Sequence, residues 1–270
     1  MLIFFLTLFN PLLAQDQASL PAPTLSYLKG SEFQNLMGSL MGKEYGYTKA
    51  QLAEIGGQSV AEYILYLSRI DVPLKRVIFI IGQDFSGSSY QNGYFGLAAA
   101  RYLAQRKVEV DVVLLYPNDP LRSRLAMQCK SHSATLHFDI LQNLQEQLNV
   151  QMTKNILANW LNDYDLVVDA ITLNSIEQPK TPVREFMHAF SEVSKKVLAI
   201  NLPVGWHTDN GNLYNAYVPQ FVISLGLPLK AIKEFEGQHA IGGRFIPQAN
   251  TFNYVLPKYK IEDSFHLLQK

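Results

Sequence analysis

Cysteine is nearly absent from this 270-residue sequence, which contains only Cys129. A single thiol excludes a disulfide within the chain and any metal site that uses several thiolates. It leaves the redox compartment undetermined. We expect Cys129 to be a small apolar residue that packs in the core.

An excess of charge of either sign is also absent, because 23 basic residues balance 23 acidic ones. No block of like charge stands out along the chain. Nucleic-acid backbones and anionic membrane surfaces are recognised through clustered positive charge. The composition therefore disfavours both, and we expect neither nucleic acid nor membrane to bind the mature chain.

The motifs of two large enzyme classes are missing as well. The six histidines form neither an H-E-x-x-H motif nor a tight cluster, and this disfavours a zinc enzyme. No G-x-S-x-G turn follows a strand pattern, although such a turn carries the nucleophile of many serine hydrolases. A hydrolytic triad is therefore disfavoured too.

Long hydrophobic runs occur only at the start of the chain. The stretch MLIFFLTLFNPLLAQDQ combines an apolar run of signal-peptide length with the helix breaker Pro11 and the small residue Ala14, where a signal peptidase could cut. No later segment approaches the roughly 20 apolar residues that a membrane helix needs. We expect residues 1–16 to be a cleaved leader, secretory or organellar. A disordered start or a mispredicted first exon is the alternative.

Strand and helix patterns alternate through the rest of the chain. Nearly continuous apolar runs predict strands that are covered on both faces. These runs are RVIFII, VEVDVVLLY, DLVVDAI, KKVLAINL and QFVISLGL, with AIGGRFIP as a final short strand. Apolar residues at helical spacing predict helices at 29–41, 48–70, 94–105, 120–131, 141–161 and 183–194. The alternation predicts one α/β domain over residues 17–270, with three layers and a mainly parallel sheet.

The sequence of the second predicted helix supports two more detailed predictions. Thr48 is a good N-cap residue, because its hydroxyl can accept a hydrogen bond from the first turn. Gly56 and Gly57 lie within the helix and mark either a weak point or a close approach of another backbone.

The ligand of such a sheet is expected outside the carboxyl ends of the strands. The loops that meet there span residues 82–96, 116–120, 169–182 and 201–211. The glycines of the first loop leave room for an anion near the following helix; they are Gly82, Gly87, Gly93 and Gly96. Their spacing is neither G-x-G-x-x-G nor a Walker motif, so a plain strand-to-helix turn is the alternative.

The same loop contains an unusual number of aromatic residues for a phosphate site. They are Phe85, Tyr90, Tyr94 and Phe95. Either these rings close over a ligand, or they fill the site.

Polar residues follow two further strand patterns. Asp169 ends an apolar strand, where a carboxylate is costly unless it is paired, ligating or catalytic. The alternative is a carboxylate that caps the amides of the next loop. Asn201 lies at another strand end, followed by Trp206 as an expected packing anchor. His207 and Asp209 suggest a general base.

The order of these segments resembles the NAD(P)H-hydrate epimerase family, also called the YjeF N-terminal domain family. The resemblance is closest to its animal branch, which includes the apolipoprotein A-I-binding protein, and covers nearly the whole chain from about Tyr27. It rests on YLKGSEFQNL, QLAEIGGQSVA, GLAAARYL, VVLLYP, LVVDAI, PVREF, LPVGW, VISLGLP and GGRFIP. Each segment is short, but their combination in this order is specific.

The resemblance implies a Rossmann-like three-layer αβα fold, a homodimer, and interconversion of the R and S hydrates of NADH or NADPH for nicotinamide nucleotide repair. Asp169 matches the acidic residue of the family's V-V-D-A, which is implicated in catalysis and in binding a potassium ion. Asn92, Gly93 and Gly96 match the loop G-P-G-N-N-G-G-D-G, and Asn201 stands at the first position of D-I-P-S-G-W-D. By this resemblance Asp169 is catalytic, the other four residues bind the nucleotide, and Asn92 and Asp169 hold the metal.

Several positions depart from the family pattern. Tyr94 and Phe95 replace a Gly and an Asp of the loop, and Asn118 stands where a Lys is usual. The segment TLNS, residues 172–175, contains no glycine where the family has a G-T-G-like loop. Val204 and His207 replace the Ser and the last Asp of D-I-P-S-G-W-D, and Val204 offers no side-chain oxygen to an ion.

The residues that anchor the family fold are retained, whereas the ligand-facing ones have mostly changed. The matching anchors are Arg184, Gly205, Trp206, Gly243, Arg244 and Pro247. We therefore expect the aromatic loop to occlude or reshape the phosphate site, epimerisation to be lost or weakened, and the chain to serve as a binding or scaffold subunit for an unidentified protein partner. The alternatives are an active epimerase with Asp169 as acid or base, and a repurposed site for another nucleotide or ring.

Overall fold

The computed structural model describes residues 24–82, 92–116, 119–138, 150–172, 177–248 and 252–268. The helices in these ranges are α1 (Gly30–Leu40), α2 (Lys49–Ile70), α3 (Asn92–Gln105), α4 (Pro120–Ser131), α5 (Val150–Leu161) and α6 (Val183–Glu192). The strands are β1 (Arg76–Ile81), β2 (Glu109–Leu114), β3 (Thr135–Phe138), β4 (Leu166–Ala170), β5 (Lys196–Ile200), β6 (Phe221–Leu225), β7 (Gln238–Gly242) and β8 (Phe265–Leu267). A 3-10 turn spans Lys230–Ile232.

The strands form one sheet in the order β3-β2-β1-β4-β5-β6-β7-β8. Every neighbouring pair is parallel except β7 and β8, which are antiparallel. The prediction of a mainly parallel α/β sheet is confirmed. Strands β1 and β4 are buried along almost their whole length, as expected for strands that helices cover on both faces.

Successive strands are added to the sheet in one direction from β1 and in the opposite direction from β4. The connection through α3 leads from β1 to β2 on one side, and the connection through α6 leads from β4 to β5 on the other. Because such crossovers are right-handed, α3 and α6 lie on opposite faces of the sheet. Helix α3 packs against α2 and α4, and α5 packs against α6. The carboxyl ends of β1 and β4 therefore form the crevice where this fold class binds ligands.

Helix α2 confirms both of its predicted details. The Thr48 hydroxyl accepts a hydrogen bond from the Gln51 N–H at 3.2 Å, while the Gln51 side chain accepts one from the Thr48 N–H at 2.8 Å. A Cβ added at Gly57 would lie 2.4 Å from the Cβ of Ala98 in α3. The two glycines of α2 therefore mark a close approach between helices.

Two strands were missed by the sequence patterns. Strand β3 is only four residues long, lies at the edge of the sheet and is not fully buried, so its sequence carries little of the apolar signal of a central strand. Strand β8 follows the segment AIGGRFIP, which the patterns predicted as the final strand. Its Phe265 ring packs 5.3 Å from the ring of Tyr63 in α2.

The bounds of three predicted elements also change. The final strand ends at Gly242, because Gly243 turns the chain with a φ of +66°, and does not continue through AIGGRFIP. The helix predicted at 141–161 corresponds to α5, Val150–Leu161, and residues 141–149 of the prediction lie outside the described part of the chain. Helix α3 begins at Asn92, two residues earlier than predicted.

Cys129 is fully buried in α4, and its Sγ–H donates to the Leu97 carbonyl at 3.1 Å. Burial raises the pKa of this thiol to about 12. The predicted core thiol is confirmed. Within the described ranges, no helix is long and apolar enough to cross a membrane.

Candidate functional site

The polar residues predicted from the sequence meet at the carboxyl edge of the sheet. Asn92 is the first residue of α3, Asp169 is near the end of β4, and Asn201 follows β5 directly. All three are fully or almost fully buried. The predictions that concern Phe85, Tyr90, Asn118 and residues 173–175 fall outside the described part of the chain, as does the predicted leader.

Asp169 is 0% exposed and projects toward the α6 face of the sheet. Its neighbour Ala170 contacts α3, since a Cβ added at Gly96 would lie 2.6 Å from the Ala170 Cβ. Successive residues of a strand point to opposite faces, so the Asp169 carboxylate points away from α3. The burial of Asp169 at the crevice agrees with the expectation that this carboxylate has a specific partner.

Three donors reach the Asp169 carboxylate. The Ile171 N–H donates to Oδ1 at 3.0 Å and the Val204 N–H donates to Oδ2 at 2.7 Å. The Tyr217 hydroxyl also donates to Oδ2. Burial raises the pKa of Asp169 to about 6, although the bonds from Tyr217, Val204 and Ile171 each lower it. A carboxyl group with a pKa of this size can hold or release a proton near neutral pH.

Tyr217 was not predicted from the sequence. Burial raises the pKa of its phenol well above the usual value, and the adjacent Asp169 carboxylate raises it further, so the hydroxyl is a donor at any physiological pH. No motif marks this tyrosine, which lies in the loop between β5 and β6. Only its proximity in space to Asp169 identifies it.

Asn92 and Asn201 form a continuous chain of hydrogen bonds across the strand ends. Asn92 Nδ2 donates to the carbonyls of Thr172 and Ile200, the latter at 2.6 Å. Asn201 Nδ2 donates to Asn92 Oδ1 at 2.8 Å, and its Oδ1 accepts from the Leu225 N–H at 2.6 Å. These two side chains thereby connect the ends of β4, β5 and β6 to the start of α3.

The predicted nucleotide-contacting glycines have a clear packing role. A Cβ at Gly93 would lie 2.9 Å from the Gly82 carbonyl oxygen, and a Cβ at Gly96 would meet Ala170. The first turn of α3 therefore rests directly on the ends of β1 and β4. This close approach leaves the N–H groups at the start of α3 near the crevice, where an anion is favoured.

The aromatic residues at the start of α3 are buried in two different places. A Cβ at Gly56 would lie 2.3 Å from the Phe95 ring, so this ring fills the space between α2 and α3. The Tyr94 hydroxyl bonds the Asp119 carboxylate, and burial, reinforced by Asp119, raises the pKa of Tyr94 to about 12. Arg122, also fully buried, lies close enough to lower that pKa.

The loop after β5 is organised by its own residues. The Trp206 indole N–H donates to the Tyr217 carbonyl at 3.0 Å, and the ring is buried, which confirms its role as a packing anchor. His207 Nδ1 accepts from the Asp209 N–H at 3.1 Å, and Asp209 Oδ1 accepts from the Gly30 N–H at 2.7 Å. His207 thus stabilises a turn of this loop and Asp209 ties the loop to the start of α1, so the geometry gives no support to His207 with Asp209 as a general base.

The fold and the buried polar residues at its carboxyl edge define a Rossmann-like α/β protein with one candidate acid–base group, Asp169. The family model described as YjeF-related protein N-terminus matches residues 49–231. The chain belongs to this family, as the sequence predicted. Its predicted nearness to the animal branch of the family stays a prediction.

Individual relatives cover most of the chain. It is 30% identical over 244 residues to the NAD(P)H-hydrate epimerase of Paramecium tetraurelia. The matched residues cover 89% of this chain and 94% of that protein. It is 30% identical over 246 residues to the NAD(P)H-hydrate epimerase of Plasmodium vivax, with coverage of 89% and 78%. The crystal structure of yeast Ynu0 (YNL200c) matches with a TM-score of 0.73 at 24% identity, over 90% of this chain and 100% of that one. This structural match supports the fold.

Proposed function

We propose that this chain is an NAD(P)H-hydrate epimerase in which Asp169 is the catalytic acid–base group. The observation that carries the proposal is the buried Asp169 carboxylate, whose pKa of about 6 lies near neutrality, at the crevice between β1 and β4. Two relatives that are 30% identical to this chain, over 94% and 78% of their own lengths, bear the name NAD(P)H-hydrate epimerase. This function was the alternative in the sequence analysis.

The chemistry requires proton transfer at the hydrated carbon of the nicotinamide ring. To invert the carbon that bears the hydroxyl group, that hydroxyl can be protonated and leave as water while the adjacent ring nitrogen supplies the electron pair for an iminium ion, and water then adds to the opposite face and gives up a proton. A carboxyl group that gives and takes one proton lowers the barrier to both steps. Because burial raises the pKa of Asp169 to about 6, both the protonated and the ionised forms are accessible near neutral pH.

The nucleotide is expected to bind at the start of α3. We assign Asn92, Gly93, Gly96 and Asn201 to this part of the site, as the family resemblance implies. The support from the structure is indirect. Asn92 and Asn201 fix the ends of β4, β5 and β6, while the two glycines bring the first turn of α3 onto the sheet. These residues thereby set the shape of the crevice.

The oxygen atoms at this edge are of the chemical types that bind a potassium ion. Carboxylate and carbonyl oxygens are the ligands that hard cations prefer; here they are the Asp169 carboxylate, the Asn92 amide oxygen and the carbonyls of Thr172 and Ile200. Asn92 and Asp169 would hold the ion, which would supply positive charge near the nucleotide. The Asn92 amide oxygen and the two carbonyl oxygens each accept a hydrogen bond from an asparagine amide, so binding there would require the Asn92 amide to turn, whereas Asp169 Oδ1 keeps one acceptor position. A rise in Tm in potassium chloride over an equal concentration of sodium chloride tests this site without any activity measurement.

A second candidate is the binding or scaffold role with weakened epimerisation, which the sequence analysis favoured. The observation for it is that the Asn92 and Asn201 amides are buried and engaged with each other and with backbone groups. Val204 reaches Asp169 only through its backbone N–H. The buried position of Phe95 between α2 and α3 weakens one argument for this candidate, because that ring is used in helix packing.

A coupled assay distinguishes the two candidates. Protein of residues 17–270 is incubated with an S-specific NADHX dehydratase and a mixture of both hydrates, and consumption of the R form is followed. We expect consumption faster than the spontaneous rate and its loss in Asp169→Ala. A folded protein that gives no acceleration contradicts the epimerase and leaves the binding role.

The predicted homodimer, protein partner and leader are further proposals. Light scattering of the purified chain tests the dimer, and affinity capture with that chain as bait tests the partner. N-terminal sequencing of the protein from its native cell, together with its subcellular fraction, tests cleavage after residue 16 and a secretory or organellar location.

A further inference from the structure

We propose that Tyr217 is a positioning residue that holds the Asp169 carboxylate so that Oδ1 is the oxygen left to contact the ligand. This inference rests on the proposed epimerase function. The structure supplies it through the distribution of donors around one carboxylate and through the way Tyr217 is itself held.

The two oxygens of Asp169 are not equivalent. Each carboxylate oxygen can accept two hydrogen bonds. Oδ2 receives the Val204 N–H at 2.7 Å and the Tyr217 hydroxyl, so both of its positions are taken. Among the described residues, Oδ1 receives only the Ile171 N–H, at 3.0 Å. The remaining acceptor position of the carboxylate is therefore on Oδ1.

Tyr217 is suited to hold a carboxylate because both ends of the residue are fixed. Its ring lies 5.1 Å from the Phe190 ring of α6 in an edge-on arrangement. Its carbonyl accepts the Trp206 indole N–H at 3.0 Å. The residue is almost fully buried, so its hydroxyl has few ways to turn. The loop after β5 thus delivers two donors, from Val204 and Tyr217, to the same oxygen.

Without the Tyr217 hydroxyl, Oδ2 would keep only one donor. The carboxylate could then turn about its Cβ–Cγ bond or take up a water molecule, and the vacant position would be shared between the two oxygens. A misoriented acid–base group slows proton transfer more than it weakens nucleotide binding. Loss of a residue that orients a reacting group typically costs 10- to 100-fold in activity.

The test compares Tyr217→Phe with Tyr63→Phe in the full chain. Tyr63 is another buried tyrosine and lies in α2, away from Asp169. Its hydroxyl donates to the Gln238 carbonyl at 3.4 Å. We expect Tyr217→Phe to lower kcat for NADHX epimerisation by about 10- to 100-fold with a change in KM below about threefold. Tyr63→Phe should leave kcat unchanged and affect only Tm.

Each outcome decides the inference. An active wild type with an unchanged kcat in folded Tyr217→Phe overturns the role of Tyr217 alone, whereas an inactive wild type overturns the proposed function and this inference together. If Tyr217→Phe does not fold, Trp206→Phe takes its place, because it removes the donor to the Tyr217 carbonyl while an aromatic ring remains at this buried position. A lower kcat at similar KM in that variant supports the inference, and an unchanged kcat overturns it.

Discussion

Asn201 donates a hydrogen bond from Nδ2 to Oδ1 of Asn92 at 2.8 Å, so the residue after β5 is tied to the first residue of α3. Asn201 has a φ of +61°, a left-handed conformation that asparagine tolerates better than most residues. Its own Oδ1 accepts from the Leu225 N–H. One side chain therefore combines an unusual backbone conformation with two buried hydrogen bonds.

The Asn201→Ala substitution should lower the free energy of unfolding by about 2–4 kcal/mol, because it leaves the Leu225 N–H and Asn92 Oδ1 without these partners and strains the backbone. The matched control is Asn253→Ala. Asn253 also has a left-handed φ, +55°, but it is exposed. Its replacement should therefore cost only the backbone strain of a left-handed alanine, about 1 kcal/mol. Urea denaturation measures both values, and equal losses would show that the buried bonds contribute little.

The close packing of α3 gives a second prediction. Gly96→Ala would place its Cβ 2.6 Å from that of Ala170, and overpacking of this kind costs about 1–3 kcal/mol. Gly38→Ala, in α1, is the control, because a Cβ added at Gly38 would have no atom within 4 Å. An exposed helical Gly→Ala change stabilises by about 0.5–1 kcal/mol. Thermal unfolding should therefore shift in opposite directions in the two variants, and a Gly96→Ala protein as stable as the wild type would contradict the close contact.

The predictions made from sequence succeeded where one strong pattern repeats. Short, nearly continuous apolar runs located β1, β4, β5 and β6, because a strand buried on both faces must be apolar throughout. Strands β3 and β8 were missed, because short edge strands depend on pairing with a neighbour rather than on their own composition. Sequence patterns carry no such pairing information.

The candidate site was predicted in its polar residues but not in their contacts. Asp169, Asn92 and Asn201 are at the expected edge, since the carboxyl ends of parallel strands meet there. The position of Phe95 depended on Gly56 in another helix, and the role of Tyr217 depended on a loop folding back on β4. Contacts between residues so distant in sequence have no local signal.

Two buried groups make stability depend on pH in opposite directions. Burial lowers the pKa of His239 from 6.5 to about 4, so the unfolded chain binds this proton more readily. The contribution of neutral His239 to the free energy of unfolding is fully present above pH 6.5 and is lost as the pH falls toward 4. Burial raises the pKa of Asp169 from 3.8 to about 6, so the folded chain binds that proton more readily. The contribution of Asp169 therefore increases as the pH falls from 6 toward 3.8.

Because the two contributions oppose each other between pH 4 and 6, single variants should separate them. Asp169→Asn should lose stability more steeply than the wild type when the pH falls from 7 to 5, by about 1–2 kcal/mol. His239→Gln should lose stability less steeply, by a similar amount. Urea unfolding at both pH values gives the three slopes, and identical slopes in all three proteins would rule out this assignment.

The central claim is that Asp169 catalyses epimerisation, and the most direct measurement starts from the pure R hydrate of NADH and follows the S hydrate by chromatography at pH 7. The wild type is compared with Asp169→Asn and with Asp165→Asn. The Asp165 carboxylate accepts the N–H groups of Lys75 and Arg76 at 2.8 and 2.9 Å at the opposite end of β4. We predict rapid formation of the S hydrate by the wild type and by Asp165→Asn, and a rate at or near the spontaneous one with Asp169→Asn. Equal rates with wild type and Asp169→Asn would contradict the account.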